Sequence, residues 1–261
     1  MLEWIARGLH KRRVTTPYPR REEPALPGFR GSLTVLDPLN ARGELARLCP
    51  TAAIAVDAQH RLSVDRGRCI LCGSCVDAAP ERFAFDHRYE TAARTRSALT
   101  VPEDTDAALE PLRATLAEQT RALRRSIHVR HIDSGSDGSE EWEIQALWNP
   151  YYDIQRLGFF LTAAPRHADV LLVTGPVTTA MRQPLQRTWQ VMPEPKALIA
   201  VGTDACSGGL TTSGELAAGG VDAVLPVDVY VPGSPPAPIA IMHGLLLATG
   251  LLADSPLGVP A

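Results

Sequence analysis

The stretch Cys69–Pro80, CILCGSCVDAAP, decides how the amino-terminal part of this chain is read. Cys69, Cys72 and Cys75 stand at the two-residue intervals that set three thiolates around one cubane iron-sulfur cluster. The place before Pro80, where a complete CxxCxxCxxxCP run carries its fourth cysteine, holds Ala79. A cubane takes four ligands, so a fourth must come from elsewhere.

In two-cluster ferredoxins the last cysteine of each run ligates the cluster of the other run, so the missing partner is expected upstream. The segment CPTAAI supplies it as Cys49, followed by Pro50 and twenty residues before Cys69. Between them AIAVD, Ala53–Asp57, and RLSVD, Arg61–Asp65, read as short strands joined by a turn. Counting back from Cys49 at the same spacing lands on Leu45, Arg42 and Leu39, where a first run would hold its cysteines. The pattern resembles a bacterial two-cluster ferredoxin with one cluster removed and one kept. One [4Fe-4S] cluster on Cys49, Cys69, Cys72 and Cys75 is expected, with Leu39, Leu45 and Ala79 filling the vacated volume. The competing chemistry is zinc, which four thiolates also suit, although zinc sites more often pair their cysteines two by two.

The rest of the chain sets the context. With 261 residues and 45% hydrophobic composition it can bury about two cores, and a net charge of -3 at a pI near 6.2 gives no reason to expect nucleic acid. Arg7, Lys11, Arg12, Arg13, Arg20 and Arg21 concentrate positive charge before residue 22, which suits a membrane surface or an acidic partner. Five cysteines, four of them between residues 49 and 75, point to metal ligation in a reducing compartment rather than to disulfides. The most apolar stretch, Ala237–Ala253, is broken by His243 and Gly244 and falls short of a bilayer span. No signal-like apolar core precedes a small-residue cleavage site, and a cytoplasmic protein is expected.

Four regions follow from composition. Residues 1–30 read as a helix bearing Leu2, Ile5, Ala6 and Leu9 on one side, then a proline-rich extended arm. That helix either packs on its own domain or faces an interface. Residues 31–98 form the ferredoxin-like α+β domain. Residues 99–126 read as a helical linker with Leu109, Leu112, Leu116 and Leu123 in helical register and Pro111 limiting the first turns. Residues 127–261 read as an α/β domain with a mainly parallel sheet. Its strands are sought at His167–Gly175, at Lys196–Gly202 and within VDAVLPVDVYVPG, and its helices at about 176–190, 212–218 and 236–252. No GxGxxG or GxxxxGK[ST] pattern is present, so nucleotide binding is not expected.

Longer segments carry a resemblance. GLHKRRVTTPYP leading through PGFRG into the cysteine region resembles the ferredoxin-like subunit of membrane-bound, complex I-related [NiFe] hydrogenases and formate hydrogenlyases. From Ile127 onward NPYYDIQRLGF, APRHADVLLVTGPVTTAM, MPEPKALIAVG and LPVDVYVPGSPPAPIAIMHGLLLA resemble the small subunit of the same group 4 complexes, a relative of the NADH:quinone oxidoreductase B subunit. The resemblance implies a fusion of two electron-transfer subunits, the second with a flavodoxin-like fold. It also implies a second cluster site, but at the matching places stand Asp137, Glu140, Asp204 and Ser234. Cys206 lies two residues past Asp204, and one thiol holds no cubane. One cluster is therefore expected, with no second or third.

Three carboxylates and a hydroxyl are hard ligands that suit calcium, magnesium or manganese. The alternatives are a hydrated pocket compensated by Arg166, Arg130 or His131, and a solvated loop cluster that tolerates loss of the cofactor. Trp142 and Trp148 flank this loop, either filling volume or meeting a partner, and His167 and His243 read as structural. The resemblance implies an electron-transfer and assembly subunit of a complex I-like, hydrogenase-like oxidoreductase, with no catalytic residue of its own. Its implied partners are a large subunit, membrane subunits of the same complex and a soluble redox donor, holding it at the cytoplasmic membrane face. A non-redox scaffold, in which the cluster only stabilises the fold, is the alternative. The absence of a nucleic-acid motif argues against a free-standing regulator.

Overall fold

The structure is a computed structural model and describes residues 14–102, 126–211 and 214–251. The helix expected over Leu2–Leu9 and the leucine-bearing linker Leu109–Leu123 lie outside these residues.

The first unit is antiparallel. Strand β1 (Ser32–Val35) pairs with β4 (Phe83–Asp86), while β2 (Ile54–Val56), β3 (Leu62–Asp65) and β5 (Thr100–Val101) form a second small sheet. The β2–β3 turn is closed by Asp57, whose carboxylate accepts the amides of Gln59 at 2.9 Å and Arg61 at 2.8 Å. This register turns Ile54, Leu62 and Val64 inward with Leu33, Phe83 and Val101, against Cys69 and Cys75. The short helix α1 (Ser74–Ala78) follows the cysteine loop and ends at Ala79, which is buried.

The second unit is a five-stranded parallel sheet in the order β10-β9-β8-β6-β7. It comprises β6 (Ile127–Asp133), β7 (Phe159–Leu161), β8 (Val170–Thr174), β9 (Ala197–Val201) and β10 (Val229–Val231). Both VLLVT and ALIAV are buried along their whole length, as central parallel strands must be. The order is that of flavodoxin-like folds, with its switch point between β6 and β8. Helices α2 (Ser139–Ala146), α3 (Thr179–Val191), α4 (Thr203–Ser207) and α5 (Pro238–Ala248) complete it. Helix α5 is buried on every side because it packs between β9, β10, α2 and residues of the first unit such as Tyr18 and Ala92. His243 lies within it, accepting the Ala92 amide on Nδ1 at 3.3 Å, and burial holds its pKa down at about 4.

The two units share hydrogen bonds. Ala93 bridges to Tyr230 beside β10, exchanging bonds of 2.9 and 2.7 Å. The extended arm runs against the second unit, Thr16 donating to the Tyr151 carbonyl at 2.8 Å, and it inserts Tyr18 into the larger core.

Several sequence expectations need correction. No helix forms over the described part of 212–218: Ala217 instead bridges to Thr178, and the helix of this region is α4, upstream. Glycines at 214, 219 and 220 favour such an extended, turning path over a helix. Leu39 fills no vacated cavity, being 55% exposed. Its turn is pinned outward by Arg82, which donates to the Leu39 carbonyl at 2.6 Å, and Ala41 is buried in the core instead. Leu45 and Ala79 do pack there. Trp142 is 72% exposed and fills no volume, whereas Trp148 packs on the larger core.

Candidate metal centre

The four cysteines come together from two segments. Cys49 follows a 3₁₀ turn (Gly43–Leu48), and the loop Cys69–Gly73 runs from the end of β3 into α1. All four cysteines line one pocket, walled by Leu33, Ile54 and Phe85. None is in a disulfide; Cys69 and Cys75 are buried and Cys72 is exposed. Among the described residues no three His, Cys, Asp or Glu side chains converge closely enough for a single metal ion.

The loop's backbone makes this enclosure. Leu71 at φ 55 and Gly73 at φ 91 occupy the left-handed region, which for leucine costs about 1 kcal/mol. These reversals turn amides toward sulfur. Burial raises the Cys69 thiol to about 12, against the Leu71 amide, and the neighbouring cysteines push the same way. Burial likewise raises Cys75, with the Val76 amide opposing it. At exposed Cys72 the small desolvation is outweighed by the Ser74 amide and hydroxyl and by the amides of Cys72 and Gly73, so its thiol lies below the usual range. Cys49 sulfur accepts the Ala53 amide at 3.2 Å and lies 3.3 Å from the Thr51 hydroxyl. Amide-lined thiolates in an apolar pocket fit an iron-sulfur cluster, whose potential such hydrogen bonds tune.

The loop is held from outside by two residues. The Thr203 hydroxyl, opening α4, lies 3.0 Å from the Cys69 carbonyl and 3.1 Å from that of Gly233. Arg30 Nη1 donates to the carbonyls of Leu71 and Cys72, both at 2.9 Å.

Asp137, Glu140 and Asp204 do not line the cysteine pocket. Glu140, at the start of α2, is only 3% exposed, with its Oε1 against Gly202. Burial above all, then the charges of Asp204 and Asp137, raises its pKa to about 7 against its own amide and the Ser139 hydroxyl. Asp204 is raised by burial and by Asp137. Asp137 itself is held low by the Ser139 hydroxyl and amide, at 2.6 and 2.9 Å. Ser234 is exposed. Asp137, Glu140 and Asp204 thus influence one another without converging on one ion position, and burial of Glu140 rules out a simply solvated loop cluster. His131 is not their counter-charge: its Nε2 lies 3.0 Å from the Thr174 hydroxyl and 3.4 Å from Glu141, and burial holds its pKa down. Cys206 is fully buried beneath β9, apart from the four thiols.

Comparison with known proteins matches residues 138–248 to the NADH ubiquinone oxidoreductase, 20 Kd subunit, and residues 62–111 to a 4Fe-4S single cluster domain. The probable membrane-bound hydrogenase subunit mbhJ of Pyrococcus furiosus is 40% identical over 142 residues, which are 54% of this chain and 85% of that one. The chain belongs to the NADH ubiquinone oxidoreductase 20 kDa subunit family. Formate hydrogenlyase subunit 7 of Escherichia coli is 40% identical over 159 residues, 61% of each chain, so this 20 kDa-subunit relative spans less than two thirds of that protein's length. A chain of the archaeal membrane-bound sulfane sulfur reductase structure shares 29% identity over 50% of this chain and 75% of that one, at a TM-score of 0.44. The 20 kDa-subunit match spans α2 to α5, and the cluster-domain match contains Cys69, Cys72 and Cys75 but begins after Cys49. The sequence reading of this 20 kDa-subunit relative missed Arg30 and Thr203. Arg30 lies in the quoted PGFRG, but only the fold shows what it touches.

Proposed function

We propose that the chain is an electron-transfer and assembly subunit of a membrane-associated oxidoreductase complex, with one [4Fe-4S] cluster held by Cys49, Cys69, Cys72 and Cys75. The observation that carries this reading is the single cavity lined by all four thiols, from segments twenty residues apart. The CxxCxxC triplet with a distant Cys-Pro favours a cluster over zinc, whose sites more often pair their cysteines two by two. When bound, the cluster supplies one-electron transfer. Leu33, Ile54 and Phe85 keep water from it, the loop amides donate to its thiolates, and exposed Cys72 marks the side nearest an electron partner.

Residues 31–98 act as the ferredoxin-like domain and residues 127–261 as the small-subunit-like domain, joined through 99–126. The names of the relatives, a formate hydrogenlyase subunit and a membrane-bound hydrogenase subunit, support partner subunits in a complex, and the partners we propose are a large subunit, membrane subunits and a soluble donor. No helix among the described residues is long and apolar enough to cross a membrane. The place we propose for the subunit is the cytoplasmic membrane face, reached through those partners. A second reading, a scaffold whose cluster never changes redox state, is favoured by one observation: the positions where the family resemblance places a second cluster carry Asp137, Glu140, Asp204 and Ser234.

Iron and acid-labile sulfide in anaerobically purified protein test the site: about four of each per chain are expected, lost in Cys49→Ser. Stoichiometric zinc without sulfide, or a Cys49→Ser protein that keeps the wild-type spectrum, would overturn it. A paramagnetic signal that appears and disappears under turnover of the complex separates transfer from scaffolding.

A further inference from the structure

Arg30 stands at the outer side of the cysteine loop in an arrangement the proposed ligands alone do not explain. One of its nitrogens, Nη1, donates to two successive carbonyls, Leu71 and Cys72, at 2.9 Å each. Its guanidinium carbon lies 5.1 Å from the centre of the Phe85 ring, which walls the thiol cavity. At Gly73 a Cβ would stand 3.1 Å from the same Nη1, so the loop's glycine leaves the space Arg30 occupies. The left-handed turns at Leu71 and Gly73 send amides toward sulfur and carbonyls outward, and the outward carbonyls converge on this cation. Among the described residues no carboxylate lies within ion-pair distance of Arg30.

We infer that Arg30 is a positioning residue that fixes the Cys69–Cys75 loop and, as an un-neutralised cation beside it, raises the reduction potential of the cluster held there. The inference rests on the cluster assignment proposed above. Reduction adds one negative charge to the site, and a nearby positive charge favours the reduced form. Because Arg30 is exposed, solvent screens its field, and the expected effect is modest.

The test is a redox titration of the full chain, followed by electron paramagnetic resonance, for wild type, Arg30→Gln and Arg30→Lys. Arg30→Gln should make reduction about three- to tenfold less favourable, a lowering of ~30–60 mV for a one-electron couple. Arg30→Lys, which keeps the charge, should recover most of that difference, and the difference should shrink in high salt. An Arg30→Gln protein with an intact cluster and the wild-type potential overturns the inference. So does a lysine variant indistinguishable from the glutamine one, and so does loss of the cluster in both variants, which would make Arg30 a folding residue only. Wild-type protein lacking iron and sulfide would instead sink the cluster assignment itself, and this inference with it.

Discussion

Replacing Glu140 by glutamine should stabilise the protein at alkaline pH and leave it unchanged in acid. The Glu140 carboxyl is 3% exposed, and its pKa rises from the ordinary 4.5 to about 7 through burial, with Asp204 and Asp137 adding to it. Between those values the folded chain keeps a proton that the unfolded chain has released. Stability therefore falls as pH climbs through this window, and the full penalty is present above about 7. At 1.36 kcal/mol per pH unit the ceiling is ~3 kcal/mol, and partial access of water from the loop side reduces it to about 2 kcal/mol. Glutamine has the same shape and can still accept from the Ser139 hydroxyl, so it removes the titration without leaving a cavity. Urea unfolding of wild type and Glu140→Gln, run anaerobically at pH 5 and pH 8, reads the effect directly. The two should differ by only about 0.5 kcal/mol at pH 5 and by about 2 kcal/mol at pH 8. A difference of the same size at both pH values would refute the buried, proton-holding carboxyl.

The remaining expectations rest on close packing. His243 is buried and held neutral with a pKa of about 4, so stability should drop by up to ~3 kcal/mol as pH falls from 6.5 toward 4, and His243→Leu should flatten that acid limb in the same unfolding assay. Gly202→Ala should cost about 2 kcal/mol, because φ is +93 and the new Cβ would stand 2.4 Å from Glu140 Oε1; in a Glu140→Ala background the loss should shrink, measured as a double-mutant cycle.

Local signals in the sequence led to the correct elements where local chemistry decides. The apolar pattern in Ala53–Asp65 gave the β2–β3 hairpin, and the uninterrupted apolar runs of β8 and β9 announced strands buried on both faces. Features set by distant partners were not legible. Strand β7 has only three residues, two of them exposed, and owes its place to pairing with β6. Helix α4 is a single turn between glycines and shows no apolar period. Leu39 matched a position by counting, but the outcome depended on Arg82, 43 residues away, holding its turn to the surface. Glu140 looked solvated in a glycine-rich loop, and only the close approach of Gly202 encloses it.

The bond from the Thr203 hydroxyl to the Cys69 carbonyl also has a consequence in time. Its two ends are 134 residues apart, and at ~5–20 residues per second of synthesis the threonine follows the cysteine by roughly 7–27 s. Through that interval the thiol loop exists on the growing chain without the contact that later fastens it to the parallel sheet. The thiol loop and the sheet that fastens it are thus made at different times during synthesis, the loop first and its Thr203 contact last.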